Sequence, residues 1–378
     1  EHCIAHIASG ELDKSKPLWE LWILEGLENN KFALVLKLHH ALADGIASVE
    51  LITRLWSQST GDNATIVRIP YKPEQVPSRL ALIAGALKEH VKYDIINFPA
   101  FLAEFLKVVG RVARFSKRQF SPTVHAIQND IPRTHFNYAL SGRRSFALGK
   151  IPLADIQDTR KALNCTINDV VLFLATTSLR NYLISKNDLP DMPLCASVPT
   201  SADEGETRRE IFNNTAAMMV RLPVEIASPT ERLKHIKSYV ASAKAEIEVM
   251  GKSTFGRLLH YVPPFIWSRY RKGQYLNRAA NSDNYKPPSN LTISNVPGPK
   301  TALGKGMYEL QDLYSFGPLT EGMGLNITVW SYAGDLNFSI LGCKRQLPTV
   351  RPIRDGLYAA LDDLALAADQ LATENGKP

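Results

Sequence analysis

Phe32-Ala-Leu-Val-Leu-Lys-Leu38 alternates apolar side chains at Phe32, Leu34, Leu36 and Leu38, a period of two that places them on one face of an extended strand. His39 and His40 follow at once, and then Ala41-Leu-Ala-Asp44-Gly45. With the alternation carried to its end, His40 shares the inward parity of Leu38, and His39 turns away with Lys37. Asp44 is a helix-capping residue type, and Gly45 fits a place where a side chain would collide. Val49, Ile52, Leu55 and Trp56 then recur at helical spacing. The stretch therefore reads as a buried strand, a tight turn and a helix, with two imidazoles at the strand mouth. Imidazole titrates nearest neutrality, so an inward His40 is suited to take a proton.

Plainer roles compete with that one. A histidine is commonly a surface residue or a hydrogen-bonded core residue. His40 and Asp44 are four apart, as metal ligands can be, but adjacent strand residues diverge and no third ligand stands at metal spacing, so no metal is expected. The full pattern His-His-x-x-x-Asp-Gly should arise by chance in roughly one chain in a thousand of this length, from average residue usage.

His39-His40-Ala-Leu-Ala-Asp44-Gly45 resembles the HHxxxDG motif of the CoA-dependent acyltransferase superfamily, which includes chloramphenicol acetyltransferase, carnitine acyltransferases and peptide-synthetase condensation domains. Three more segments narrow the resemblance: Pro17-Leu18-Trp19, Thr166-Ile-Asn168-Asp169-Val-Val-Leu, and Ser294-Asn295-Val-Pro297-Gly298-Pro299. Together, and in this order, they resemble the bacterial wax ester synthase/acyl-CoA:diacylglycerol acyltransferase family. The resemblance implies an α/β fold of two chloramphenicol-acetyltransferase-like domains with mixed sheets and an active-site tunnel between them. It implies transfer of a long-chain acyl group from acyl-CoA to diacylglycerol or a long-chain alcohol, with no cofactor beyond the acyl-CoA substrate. Members of that family carry a longer segment ahead of the motif than the 38 residues here, so the first domain is expected to be incomplete at its N-terminus.

At 378 residues the chain exceeds what one core usually holds, so two domains are expected. Residues 1–120 form the first, 121–145 a linker without periodicity, and 146–378 the second. Lys and Arg exceed Asp and Glu by 44 − 37 = 7, which favours an anionic partner. Zinc-finger spacing and RNA-binding aromatic signatures are absent, so nucleic acid is not expected, leaving an anionic membrane surface or a phosphorylated ligand. The four cysteines are scattered without Cys-x-x-Cys and read as reduced cytosolic thiols. No apolar run spans a bilayer, and Ile95–Gly110 is interrupted by Pro99, Glu104 and Lys107. A cytoplasmic protein, peripherally bound to the inner membrane or lipid inclusions, is the resulting expectation.

Leu18–Gly26 and Phe32–Leu38 around Asn29-Asn30 predict a hairpin. Residues 80–120 predict helices whose Lys107, Arg111, Arg114, Lys117 and Arg118 form either a solvated face or a surface for lipid. Residues 253–278 mix aromatic with basic side chains, a pattern that suits a water–lipid interface or a core with snorkelling cations. The spacing predicts strands at 291–294, 307–315, 324–332 and 335–342, and a closing helix from Ile353.

The absence of a Gly-x-Ser-x-Gly elbow, a P-loop and a Gly-x-Gly-x-x-Gly turn leaves a reaction that needs a single base. A thioester brings its own activation, so such an enzyme need only deprotonate the acceptor hydroxyl and steady an oxyanion. The resemblance implies His40 for the base, with His39 bracing the strand end. Asp44 caps the helix or pairs with an arginine, or it turns back to His40. Asn295 either donates to the reacting carbonyl or fastens two strands. Pro17, Leu18 and Trp19 line an acyl channel or pack the hairpin, and Thr166 with Asp169 fits a capping box as readily as Asn168 and Asp169 fit direct catalysis. Two other readings share the motif: a condensation- or acetyltransferase-type enzyme with another acceptor, and a non-catalytic lipid-surface module of the same fold.

Overall fold

A computed structural model of the chain describes residues 1–57, 77–89, 91, 95–116, 131–201, 215–251, 264–304 and 309–375. The polar stretches 57–78 and 201–214, whose composition reads as surface loops, lie almost wholly outside the described residues, as do Lys117, Arg118, the first ten residues of the expected linker and residues 253–263.

The first part of the chain contributes α1 (His2–Ser9), β1 (Trp19–Leu24), β2 (Ala33–Leu38), α2 (Gly45–Ser57), α3 (Arg79–Glu89) and α4 (Ile96–Ser116). β1 and β2 form the expected antiparallel hairpin, with Trp19 opposite Leu38 and Leu24 opposite Ala33. Asn29 and Asn30 turn it with φ of 59° and 55°, a left-handed conformation that asparagine tolerates better than most residues. The hairpin is not the buried sheet its alternation suggested. Trp19, Leu21, Trp22, Ile23, Phe32 and Leu34 are exposed, because the two strands pair chiefly with each other and gain little cover from other described elements. α4 lies where helices were expected and runs through Pro99, which interrupts its apolar run but not the helix. Pro99 stands three residues after Ile96, near the N-terminal end of α4, where a proline disturbs few of the helix's hydrogen bonds.

The second part carries β3 (Arg144–Pro152), α5 (Leu153–Ala162), α6 (Ile167–Ser185), β4 (Leu194–Ser201), β5 (Thr215–Leu222), α7 (Pro229–Met250), α8 (Pro264–Leu276), β6 (Leu291–Pro297), β7 (Leu325–Tyr332), β8 (Asp335–Cys343) and α9 (Arg351–Asn375). Its six strands are ordered β3-β8-β7-β6-β4-β5. β6 runs parallel to β4 and β7, and the remaining pairs are antiparallel, so the sheet is mixed.

The two faces of this sheet differ in chemistry. Ile293, Ile327, Val329, Phe338 and Ile340 point to one side and pack with Val171, Leu174 and Leu179 of α6, Ile236 of α7 and Ile353 of α9 in the main core. Each such fully buried side chain contributes about 1.5–3 kcal/mol. Thr166 and Asp169 cap α6 reciprocally, a complete capping box. Buried Arg232 ties three helices, reaching Thr177 Oγ1 at 2.6 Å and Asp363 Oδ2 at 3.2 Å. On the opposite face, Val296, Trp330 and Tyr332 meet Val49 and Ile52 of α2 in a second, smaller cluster with Leu303, Leu310 and Leu313.

The segment expected as a strand over 307–315 is instead an irregular strap from residue 309 onward, laid across that second face. β7 already has β6 and β8 as partners, so no place in the ladder is open beside it. Side chains hold the strap: Asn337 Nδ2 donates to Leu313 O at 3.0 Å, Tyr332 Oη to Leu310 O at 2.7 Å, and Lys150 Nζ to Asp312 Oδ1 at 2.8 Å. The two carboxylates Asp312 and Asp335 hold Lys150 above the usual lysine range. The expected linker, from residue 131 onward, is likewise irregular but packed. Asn137 donates to Asn290 O and Gly322 O at 2.8 and 2.9 Å, and Asn290 Nδ2 donates to Pro132 O at 2.6 Å. Two fully buried amides thereby fasten the segment to the strand ends.

Candidate active site

β2 ends at Leu38, and His39–Leu42 is a turn closed by Leu42 N donating to His39 O at 2.9 Å. The parity that would have aimed His40 inward therefore stops one residue before the pair, and both imidazoles are exposed on the turn. His39 is held at each end. Its N–H donates to Leu18 O at 2.9 Å, and its Nδ1 accepts from Ala41 N at 3.2 Å. Leu18 belongs to Pro17-Leu18-Trp19, so the hairpin sets that motif beside the histidines. Trp19 N donates to Pro17 O at 2.7 Å, a tight local turn, and Trp19 itself is exposed.

Asp44 is 2% exposed, and its Oδ1 accepts from Ala47 N at 3.0 Å, the side-chain cap of α2. Its carbonyl accepts from Ser48 N at 2.9 Å and Ser48 Oγ at 2.7 Å. Gly45 follows as the first residue of α2, where a Cβ would stand 3.0 Å from Val296 Cγ2. This contact brings HHxxxDG against Ser294-Asn295-Val-Pro-Gly-Pro from the other part of the chain.

Val296 and Ser294 alternate with Ile293 and Asn295 along β6, and Val296 lies in the small cluster while Ile293 lies in the main core. Strand alternation thus gives the Gly45 side to Ser294 and Val296, and the helix-covered side to Asn295, opposite Val329. Gly298 is required for another reason: a Cβ there would run into the Ser331 carbonyl oxygen. Asp169 is committed to its cap, Oδ2 accepting from Thr166 N at 2.9 Å and Thr166 Oγ1 at 2.7 Å, and half-buried Asn168 stands beside it. Among the described residues, no group of three or more His, Cys, Asp or Glu side chains is placed to hold a metal ion.

Sequence reasoning missed Lys37. Its ammonium donates to Ile7 O at 3.0 Å and Gly10 O at 2.7 Å, the carbonyl end of α1. Ser9 Oγ in turn accepts from Arg144 N at 3.0 Å, so α1 splints the histidine-bearing hairpin to β3. A lysine inside an alternating strand was the available signal.

A strand–turn–helix bearing two histidines is thus docked on a mixed sheet, the arrangement expected of an acyltransferase. Residues 1–171 match the wax ester synthase/diacylglycerol acyltransferase catalytic domain, and residues 212–365 match the C-terminal domain of the same family. A putative diacylglycerol O-acyltransferase of Mycobacterium tuberculosis is 34% identical over 374 residues, covering 97% of this chain and 76% of the relative. The probable diacylglycerol O-acyltransferase tgs2 of the same organism is 30% identical over 368 residues, covering 94% and 75%. The wax ester synthase/diacylglycerol acyltransferase from Marinobacter aquaeolei VT8 shares the fold, with a TM-score of 0.66 at 24% identity over 97% of this chain and 76% of that one. The chain belongs to the wax ester synthase/diacylglycerol acyltransferase family.

Proposed function

We propose that this acyltransferase moves a long-chain fatty acyl group from acyl-CoA to the hydroxyl of diacylglycerol or a long-chain alcohol, with His40 as general base and no resident cofactor. His40 takes the hydroxyl proton as the oxygen attacks the thioester carbon. The C–S bond then breaks, and the proton passes to the departing thiolate, giving the ester and CoA. The observation that carries this reading is the pinning of the His40 turn on both sides, by Leu18 O at His39 and by the Asp44 cap with the Gly45–Val296 contact. A base held this way keeps its position without a metal or a nucleophile.

Exposed apolar residues support work at a lipid surface. Phe98, Leu102, Leu106 and Val109 form one stripe of α4, while Phe101 and Val108 are buried on a second and Lys107, Arg111 and Arg114 stand exposed on a third. Leu80, Ile83 and Leu87 of α3 and Phe265, Trp267 and Tyr270 of α8 are exposed as well. No single helix among the described residues is long and apolar enough to cross a membrane. Peripheral attachment to the inner membrane or lipid inclusions, with the site on the cytoplasmic side, accounts for these faces.

The test is transfer from radiolabelled palmitoyl-CoA, read by separation of neutral lipids. His40→Ala should abolish transfer with an unchanged melting curve, and His39→Ala should retain part of it. Equal loss in both, with both folded, would overturn the assignment of the base.

A further inference from the structure

The turn that carries His39 and His40 is held by two arms, and they rest on different parts of the fold. Downstream, the Asp44 cap and the Gly45–Val296 contact set it on β6. Upstream, His39 N bonded to Leu18 O sets it on the β1–β2 hairpin, a two-stranded sheet with no ladder bond to the six-stranded one. A two-stranded hairpin with so much exposed apolar surface is marginally stable by itself. It fixes a histidine only if something ties the hairpin to the rest of the molecule.

Lys37 is that tie. It stands two residues before His39 on β2, opposite Glu20 of β1, whose carboxylate lies 3.9 Å from the ammonium. The ammonium donates to Ile7 O and Gly10 O at 3.0 and 2.7 Å. Carbonyls at the end of a helix have no intrahelical N–H to meet them, and the helix dipole favours a cation there. α1 in turn lies along β3, the edge strand of the large sheet. Ser9 Oγ accepts from Arg144 N at 3.0 Å and Glu1 Oε1 from Leu148 N at 3.3 Å, two β3 amides of the same strand parity. The Glu1 carboxylate also pairs with Arg351 at 2.8 Å and Arg354 at 3.3 Å, both on α9. A continuous path of polar contacts therefore runs from the edge of the main sheet through α1 and Lys37 to the strand that ends beside His39.

Resting on the reading of His40 as the base, we infer that Lys37 is a positioning residue for acyl transfer, its ammonium fixing the upstream arm of the His39–His40 turn through α1. Two carbonyls and a carboxylate already occupy that ammonium, so it acts through the backbone of β2 and not on a substrate. Hydrogen bonds from a charged donor are roughly twice as strong as neutral ones, which is why an uncharged side chain of the same length does not replace it. A displaced base slows proton transfer without altering how either substrate binds, so the loss falls on kcat.

The experiment measures kcat and the KM values for palmitoyl-CoA and dioleoylglycerol in the unaltered protein, Lys37→Met and Lys37→Arg. Lys37→Met keeps an apolar stem and loses the donors. It should lower kcat about tenfold with both KM values unchanged, the scale of a misplaced catalytic group. Lys37→Arg keeps a charged donor and should recover most of the loss. Melting curves identify a Lys37→Met protein that fails to fold; Ser9→Ala, which cuts the same path at β3, then carries the test with the same expected split. An unchanged kcat in the folded variant would overturn the inference, as would equal loss in Lys37→Met and Lys37→Arg. A raised KM for palmitoyl-CoA with kcat kept would also overturn it, assigning Lys37 to the phosphates of the donor. Failure of the His40 reading shows separately, as transfer retained by His40→Ala.

Discussion

Gly45 and Val296 come from opposite ends of the chain and meet so closely that a Cβ on Gly45 would lie 3.0 Å from Val296 Cγ2. Gly45 opens a helix, where alanine is favoured intrinsically by about 1 kcal/mol, so helix propensity alone predicts that Gly45→Ala stabilises. The contact predicts the reverse for activity. Gly45→Ala should lower acyl transfer about tenfold or more by shifting the His40 turn, on the scale set by misplacement of a catalytic group. Adding Val296→Ala should restore part of the loss, measured as kcat/KM. A double variant no better than the single one would show that the contact is not the cause.

Asp44→Ala removes the oxygen that accepts from Ala47 N and should destabilise the protein by about 0.5–2 kcal/mol in urea unfolding. Asp44→Asn keeps a capping oxygen and should retain most of that stability. If Asp44→Asn is fully stable and inactive, the carboxylate takes a direct part in the chemistry.

Burial pushes the Glu321 carboxyl above its ordinary range, with Leu140 N donating to Oε2 at 3.3 Å and Oε1 without a partner. A carboxyl raised in the folded state favours folding while protonated, and that contribution is lost as pH rises through the folded value. Glu321→Gln carries no such charge. The Tm difference, variant minus unaltered protein, should therefore be more positive at pH 7.5 than at pH 4.5. A difference that does not change with pH would count against the role given to burial.

Sedimentation with anionic vesicles separates the two exposed faces of α4. Arg111→Glu with Arg114→Glu should weaken binding at low salt, where each basic side chain near the surface contributes on the order of 1 kcal/mol. Leu102→Glu with Leu106→Glu should weaken it at high salt as well, because apolar burial is not screened. Binding unaffected by both pairs would remove α4 from the membrane contact.

Local signals were legible. Asn29 and Asn30 mark the hairpin turn, Asp44 caps the helix that follows it, and Thr166 with Asp169 forms its box, each settled by a few neighbouring residues. The outcome differed where a distant partner decides. Leu38 ends β2, so strand parity could not aim His40. Residues 307–315 have strand composition, but β7 already has neighbours on both sides. Asn326-Ile-Thr328-Val-Trp330 and Asn337-Phe-Ser339-Ile alternate plainly, and both stretches were legible as strands. That the polar face is covered depends on α2 and the strap arriving from elsewhere in the chain.

The unequal sheets set a hierarchy of local opening. β1 and β2 draw their ladder bonds from each other, whereas β6, β7 and β8 are paired on both sides over a continuous core. Amide hydrogens of Trp19–Leu24 and Ala33–Leu38 should then exchange with solvent through small excursions, while those of Ile327, Val329 and Phe338 await global unfolding. The histidine turn follows this hairpin but is anchored beyond it by the Asp44 cap and the Gly45–Val296 contact. Lys37, bonded to the carbonyl end of α1, is the tether that limits the reach of any hairpin excursion.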